Sequence, residues 1–139
     1  MAKTYAKQML SYETAAKMVA AAVAKAGELG CKQNVAVIDS GGNLKALACM
    51  DGALLLGIEG CQRKAFTALF GVGTQDLYAA IKDNQSLVVG LSHFSRATLV
   101  GGGLPIVIDG AVVGGIGVGG GTVDEDVACS QAGLDAIKD

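Results

Sequence analysis

The chain has 139 residues, of which 51% are hydrophobic and 17% are charged, and its formal net charge at pH 7 is −2. Only two of its 11 basic residues are arginines, so it lacks the basic surface that neutralises a nucleic-acid backbone, and we expect no nucleic-acid partner. No apolar run approaches the roughly 18 residues of a membrane span, so we expect no membrane partner either. The length predicts one domain over residues 1–139, and the scarcity of charge favours a homo-oligomer.

The N-terminal half predicts two helices with a β-hairpin between them. Ser11 is a good N-cap, apolar residues follow it at steps of three and four, and Gly30 supplies a left-handed C-cap. Two apolar runs at 34–38 and 43–50, separated by a turn sequence, predict the strands of the hairpin. An apolar stripe then predicts a helix over 54–70.

The middle of the chain carries weaker signals. Thr74 is a candidate N-cap for a short helix over 75–82, and residues 83–92 have the composition of an irregular connection. A short strand is expected at 97–100, directly before a run of glycines.

A second hairpin and a last helix complete the chain. The pair Asp109-Gly110 between apolar runs is a strong signal for a two-residue turn, with strands over 104–108 and 111–118. Thr122 and Glu125 form a capping box that opens a helix to about residue 138. Because strand-helix-strand repeats are missing, we expect the α+β class, with a five-stranded antiparallel sheet flanked by helices.

Glycine dominates this second hairpin. Strand alternation puts Gly115, Gly117 and Gly119 on one face, so these three residues form a glycine strip without side chains. The same alternation predicts that the strip shares its face with Leu104, Ile106, Ile108, Ala111 and Val113. Glycine in a strand marks close approach of another group. That group is either the alanine-rich first helix or a second subunit, or it is a ligand whose slot has the strip as its floor.

Few other residues are candidates for chemistry. His93 is the only histidine, which excludes a zinc site of several histidines and leaves either a metal ligand to haem or a corrinoid, or a solvated loop residue. Lys64 interrupts an apolar helical stripe and is either a salt-bridged structural residue or, together with Asp51, a candidate base or carboxylate binder. The four cysteines show no C-x-x-C pair, so we expect free thiols in a reducing cytoplasm.

Three stretches together resemble the GlcG/HbpS family, the haem-degrading-type domain that also forms the C-terminal domain of PduO corrinoid adenosyltransferases. The stretches are VAVIDSGGNLKALACMDGA, RKAFTA and GGGLPIVIDGAVVGGIGVGGGTVDED. The resemblance implies an α+β fold, assembly into oligomers and, in some members, binding of haem or corrinoids. Matched by position, it assigns family residues to Asp39, Asp51, Lys64, Gly102, Gly103, Gly117, Gly119, Gly120 and Gly121. Two positions depart from the family pattern, since Cys49 precedes Met50 where arginine is usual, and Gly119 stands where serine is frequent.

The sequence therefore supports three hypotheses about function. The leading one is a small-ligand-binding protein that holds a tetrapyrrole (haem or a corrinoid) or a small catabolic metabolite near the glycine-rich hairpin, with His93 as a metal ligand. Its expected ligand-binding residues are Asp39, Met50, Gly102, Gly103, Gly117, Gly119, Gly120 and Gly121. The second is a hydratase, lyase or isomerase acting on a small oxygenated metabolite, with Lys64 and Asp51 as its catalytic acid/base pair. The third is a structural or regulatory oligomer without a ligand.

Overall fold

The computed structural model of the chain describes residues 1–139, which form five α-helices and four β-strands. In chain order they are α1 (Tyr12–Leu29), β1 (Asn34–Asp39), β2 (Leu44–Cys49), α2 (Leu56–Thr67), α3 (Thr74–Ile81), α4 (Gln85–Ser92), β3 (Gly103–Ile108), β4 (Ala111–Gly119) and α5 (Val123–Asp135). A single 3-10 turn, Ala68–Phe70, continues α2. None of the helices combines the length and the apolar character needed to cross a membrane.

The strands form one antiparallel sheet in the order β2-β1-β4-β3, with helices on both faces. α1 and α5 cover one face, where Met18, Val37 and Ile116 belong to the larger apolar core. α2 covers the opposite face, where Ala36 and Cys61 belong to a smaller core. Because β1 is central and covered twice, all six of its residues are buried. The α+β class is thus confirmed.

Helix ends follow the capping signals of the sequence. Ser11 Oγ accepts the Thr14 N–H at 3.2 Å, and Gly30 ends α1 with a φ of 73°. At the start of α5, Thr122 Oγ1 accepts the Glu125 N–H at 3.2 Å, and the Glu125 carboxylate accepts the Thr122 N–H at 2.9 Å. Both predicted caps and the capping box are confirmed, although α5 ends earlier than expected.

The predicted fifth strand is wrong, and the sheet has four strands. Residues 97–100 do not join the sheet, because three of their amides donate to acceptors outside it. Thr98 N–H donates to Thr67 Oγ1 at 2.9 Å, Val100 N–H donates to Thr98 Oγ1 at 3.2 Å, and Ala97 N–H donates to Phe94 O at 3.3 Å. Side-chain hydroxyls thus take the place of a neighbouring strand.

Two expectations about the middle helices also change. Residues 85–92 form α4 rather than an irregular connection, with Asn84 as the N-cap that accepts the Leu87 N–H at 3.3 Å. Thr74 is the first residue of α3 and not its cap, which is Gly73. The Thr74 hydroxyl instead accepts the Gly103 N–H at 3.0 Å and joins α3 to the sheet.

The glycine-rich hairpin contains a bulge that alters its faces. Its turn is as predicted, since Asp109 and Gly110 have φ values of 51° and 80°, as primed two-residue turns require. Beyond the turn, the pairing register shifts and leaves Val113 as an extra residue on β4. An extra residue reverses the alternation of side chains along a strand. Leu104 and Ile106 therefore face α1 and α5, away from the glycine strip, and the predicted common face is wrong.

Candidate functional site

The glycine strip is filled by α2. A Cβ atom on Gly117 would overlap the carbonyl oxygen of Cys61, and one on Gly115 would overlap that of Ala65. A Cβ atom on Gly119 would also meet the backbone of α2, at 3.3 Å. At Gly115 and Gly117 only glycine permits the two backbones to approach this closely, whereas a Cβ atom on Gly119 would need only a small shift of its neighbours. Close packing is therefore the correct interpretation of the strip, but α2 makes the contact rather than α1, and Gly117 and Gly119 do not form the floor of a ligand slot.

A buried ion pair joins α2 to α5 at the end of the strip. Lys64 Nζ donates to Asp126 Oδ2 and to Val118 O, each at 2.8 Å. The two charged side chains are only 6% and 3% exposed. Asp126 Oδ1 accepts two further hydrogen bonds, from Gln33 Nε2 at 2.9 Å and from Gly121 N–H at 3.1 Å. A buried pair is tolerated when its remaining polar atoms find partners in this way.

Gly102 and Gly103 make room for this pair. Gly102 has a φ of 126°, and a Cβ atom on it would lie 2.7 Å from Val118 O and 3.0 Å from Lys64 Nζ. A Cβ atom on Gly103 would overlap the carbonyl oxygen of Lys64. Both positions therefore require glycine for packing.

Gly120 and Gly121 lie on the other side of the same cluster. A Cβ atom on Gly121 would overlap Gln33 Nε2, and one on Gly120 would lie 3.2 Å from Gln33 Oε1. Gln33 Oε1 and Asn34 Oδ1 are buried without a hydrogen-bond partner. An unsatisfied buried polar atom costs about 1–3 kcal/mol. Gly120 and Gly121 thus leave room for a tightly packed polar cluster. It consists of Lys64, Asp126 and Gln33, and we call it the Lys64–Asp126 cluster.

Lys64 and Asp51 do not form the predicted acid/base pair. The ammonium of Lys64 is bound by Asp126, whereas Asp51 lies exposed in the turn after β2. Lys64 does not line any of five cavities on the surface of the protein. The catalytic hypothesis therefore loses the two residues on which it depended. Asp126 was missed in the sequence because its place in the first turn of α5 suggested only interaction with the helix dipole.

Asp39 and Met50 have structural contacts as well. Asp39 Oδ1 accepts the Gly41 N–H at 2.9 Å and the Asn43 N–H at 3.0 Å, which closes the turn between β1 and β2. Burial raises the pKa of Asp39, but the hydrogen bonds from Asn43 and Gly41 outweigh it and hold this pKa below its usual value. Met50 Sδ accepts the Gln33 N–H at 3.3 Å beside the Lys64–Asp126 cluster.

An apolar groove lies where the end of α2 meets α3 and α4. Its volume is about 470 Å³, and nine of its ten lining residues are hydrophobic. These residues are Phe66, Thr67, Leu69, Phe70, Leu77, Ile81, Leu87, Leu91, Phe94 and Ala97. The only hydroxyl, that of Thr67, donates to Arg63 O at 2.8 Å. Leu87, Leu91 and Phe94 follow a spacing of four and three, which is a helical signal within and next to the segment 83–92 that the composition predicts to be irregular.

His93 lies beside the groove but not in it. It is the C-cap residue of α4, and its Nδ1 lies 2.8 Å from Val89 O. Because a carbonyl only accepts hydrogen bonds, neutral His93 carries its proton on Nδ1 and keeps a lone pair on Nε2. The ring follows Val89 on a different side of α4 from Leu87 and Leu91, so the structure does not bring it into the groove. No group of three or more His, Cys, Asp or Glu residues is arranged to hold a metal ion.

The four cysteines are free thiols. Burial raises the pKa of Cys61 to about 12, even though Lys64 lies nearby, and burial likewise raises the pKa of Cys129 to about 12. Both thiols therefore stay protonated at neutral pH and are poor nucleophiles.

Comparisons with known proteins agree with the fold. A family model described as haem-degrading protein HbpS-like matches residues 10–135. Protein GlcG from Escherichia coli K12 is 33% identical over 115 residues, which are 81% of this chain and 82% of GlcG. A crystal structure of HbpS has a TM-score of 0.90 and 31% identity, and the match covers 99% of this chain and 96% of that one. A crystal structure of a PduOC–haem complex has a TM-score of 0.86 and 30% identity, covering 94% and 96%. The chain belongs to the HbpS-like family of haem-degrading proteins, as the resemblance predicted.

Proposed function

We propose that the protein binds a tetrapyrrole and that the apolar groove is its site. The observation that carries this proposal is the groove itself, whose volume of about 470 Å³ falls within the range of small-molecule sites. Phe66, Phe70 and Phe94 supply flat aromatic surfaces against which a planar macrocycle packs. A haem complex of PduOC, a relative 30% identical to this chain, supports the choice of ligand class.

The groove fits the macrocycle but not its metal. None of the ten lining residues offers the imidazole, thiolate, thioether or phenolate that ligates haem iron in proteins. The residues of this chain would supply apolar contacts to the ring and exclude water from it. A porphyrin suits such walls better than a corrinoid does, because the corrin rim carries polar amide side chains. We therefore assign the affinity to the ring, and the role of His93 as a metal ligand is not part of the proposal.

Titration with two probes tests this proposal. Haemin and metal-free protoporphyrin IX are each added to the protein, and absorbance and fluorescence are recorded. We expect one saturable site per chain for both, with dissociation constants that agree within about a factor of three, and we expect His93→Ala to change neither. Leu87→Glu places a carboxylate in the groove and should weaken both probes by about tenfold or more.

Val89→Glu is the matched control for Leu87→Glu. Val89 lies on the same helix and is 52% exposed, but it does not line the groove, so its replacement should leave both titrations unchanged. The proposal fails if neither probe saturates or if Leu87→Glu binds them like the unmodified protein. It also fails if only haemin binds and His93→Ala abolishes that binding, because the site would then be an iron site at His93.

We also propose that the protein is a homo-oligomer with an interface at the start of α2. Leu54, Leu55 and Leu56 are consecutive and are 56%, 80% and 77% exposed. Soluble monomers rarely leave such a run of large apolar residues in water. Light scattering should give a mass above 13.9 kDa, and Leu55→Lys should shift it towards the monomer. A monomeric mass for the unmodified protein would contradict this proposal.

A further inference from the structure

Both arginines of the chain meet at one cavity next to the groove. The cavity has a volume of about 260 Å³ and is lined by one side of α2 and by Ser95 and Arg96, which follow α4. Arg63 lies on the α2 side. Since Arg63 and Arg96 are the only arginines in 139 residues, both guanidinium groups of the protein lie at this cavity.

Contacts with the protein hold both guanidinium groups in place. Arg96 Nη2 donates to Gly42 O at 2.7 Å, and Arg96 Cζ lies 4.0 Å from the centroid of the Phe66 ring. Arg63 Nη2 donates to Glu59 Oε1 at 2.8 Å in a pair whose side chains are 34% and 71% exposed. A guanidinium has five N–H donors, so each arginine retains donors for a further acceptor.

The charge of the cavity favours an anionic group. Two guanidinium cations face one carboxylate, that of Glu59, which leaves an excess of one positive charge among the lining residues. Planar guanidinium forks match the geometry of a carboxylate and bind it through paired hydrogen bonds. Glu59 is the competing anion, and an incoming carboxylate shares or displaces its bond to Arg63.

The cavity and the groove share a wall. Phe66 lines the groove, and the guanidinium of Arg96 stacks on its ring. Phe94 also lines the groove and directly precedes Ser95 and Arg96 in the sequence. We infer that this cavity is a carboxylate-binding site, filled either by a propionate arm of a porphyrin in the groove or by a free small carboxylic acid. The first source rests on the proposed function, whereas the second is independent of it.

Three probes distinguish the sources: haemin, haemin dimethyl ester, in which both propionates are blocked, and succinate. They are titrated into the unmodified protein and into Arg63→Gln, Arg96→Gln and Glu59→Gln, with Lys25→Gln as a control for loss of a distant positive charge. Arg63 and Glu59 are partly exposed on α2, so their variants should fold even if the loss of the Phe66 contact disturbs Arg96→Gln.

A propionate in the cavity predicts that haemin binds roughly tenfold more weakly to Arg63→Gln, while the ester binds all variants equally. A free carboxylic acid as the natural occupant predicts saturable succinate binding that Arg63→Gln abolishes, with haemin unaffected. In either case Glu59→Gln should bind the carboxylate several-fold more tightly, because Arg63 loses its competitor. The inference is overturned if haemin and its ester respond alike in every variant and succinate does not bind. If neither haemin nor its ester binds the unmodified protein, the groove proposal fails by itself, and succinate alone decides the cavity.

Discussion

Replacing Lys64 with methionine tests whether the buried ion pair holds α2 against α5. Methionine keeps an unbranched apolar side chain but removes the ammonium that donates to Asp126 Oδ2 and Val118 O, both at 2.8 Å. Asp126 then remains in a site where its side chain is 3% exposed, with hydrogen bonds from Gln33 and Gly121 but without an opposite charge. An isolated buried carboxylate is expensive, so the folded state should lose stability.

The expected loss is large for a chain of this size. Removal of one partner of a buried pair costs about 3–5 kcal/mol, against the 5–15 kcal/mol that typically stabilises a domain. We expect the free energy of unfolding to fall by about 4 kcal/mol and the Tm by roughly 10–15 °C. The double variant Lys64→Met with Asp126→Asn should recover part of this loss, because it leaves no buried charge.

Urea unfolding followed by circular dichroism measures both effects. The control is Lys25→Met, which removes an exposed pair with Glu28 at 3.4 Å and should cost less than about 0.5 kcal/mol. A loss below about 1 kcal/mol for Lys64→Met would refute the structural role of the pair. A double variant as unstable as the single one would show that the isolated charge is not the cause.

Three further predictions follow from the packing and the titrating groups. Gly117→Ala should destabilise the protein by at least about 3 kcal/mol, because the new Cβ atom would overlap the backbone of α2. Gly60 also lies on α2 but faces open space, so Gly60→Ala should stabilise the protein by about 0.5–1 kcal/mol, and thermal melts compare the two variants. Asp39→Asn should cost roughly 1–2 kcal/mol at pH 7. The folded-state pKa of Asp39 is lowered, so this difference should shrink as pH falls below about 4 and the carboxylate protonates, and a constant difference in urea unfolding at pH 3 and pH 7 would contradict it. With a thiol reagent at pH 8, exposed Cys49 should react at once and Cys61 only on unfolding, because burial raises the pKa of Cys61 to about 12; rapid labelling of Cys61 would show that α2 does not seal it.

Local signals in the sequence were sufficient for most of the fold. Caps at Ser11, Gly30 and Thr122 and the Asp109-Gly110 turn depend on neighbouring residues, and the structure has all of them. The prediction of a fifth strand is wrong because the distant hydroxyl of Thr67 accepts the Thr98 N–H, which would otherwise pair with a neighbouring strand. The predicted faces of the glycine-rich hairpin are wrong because one bulged residue reverses the alternation of side chains along β4. Such a register shift has no local signature in the sequence.

The candidate site was less predictable because it depends on contacts between elements far apart in the chain. The sequence identified Lys64 as unusual but could not identify Asp126, 62 positions later, as its partner. The glycines at the end of β4 were correctly interpreted as marks of close approach, yet which group approaches is decided by tertiary packing. The groove lies between three helices, and the sequence did not predict one of them, α4. The residues that line the groove therefore could not be predicted from the sequence.

Mapping of bound haemin by NMR tests most directly whether the groove is the tetrapyrrole site. Paramagnetic haem iron broadens the amide signals of nearby residues in a ¹H–¹⁵N spectrum, so the position of the ligand is measured on the intact protein. We predict that broadening on addition of haemin is concentrated at residues 66–70, 77–81 and 87–97, which border the groove. Broadening centred on β2 or on Leu54–Leu56, with the groove signals unchanged, would contradict the proposed site.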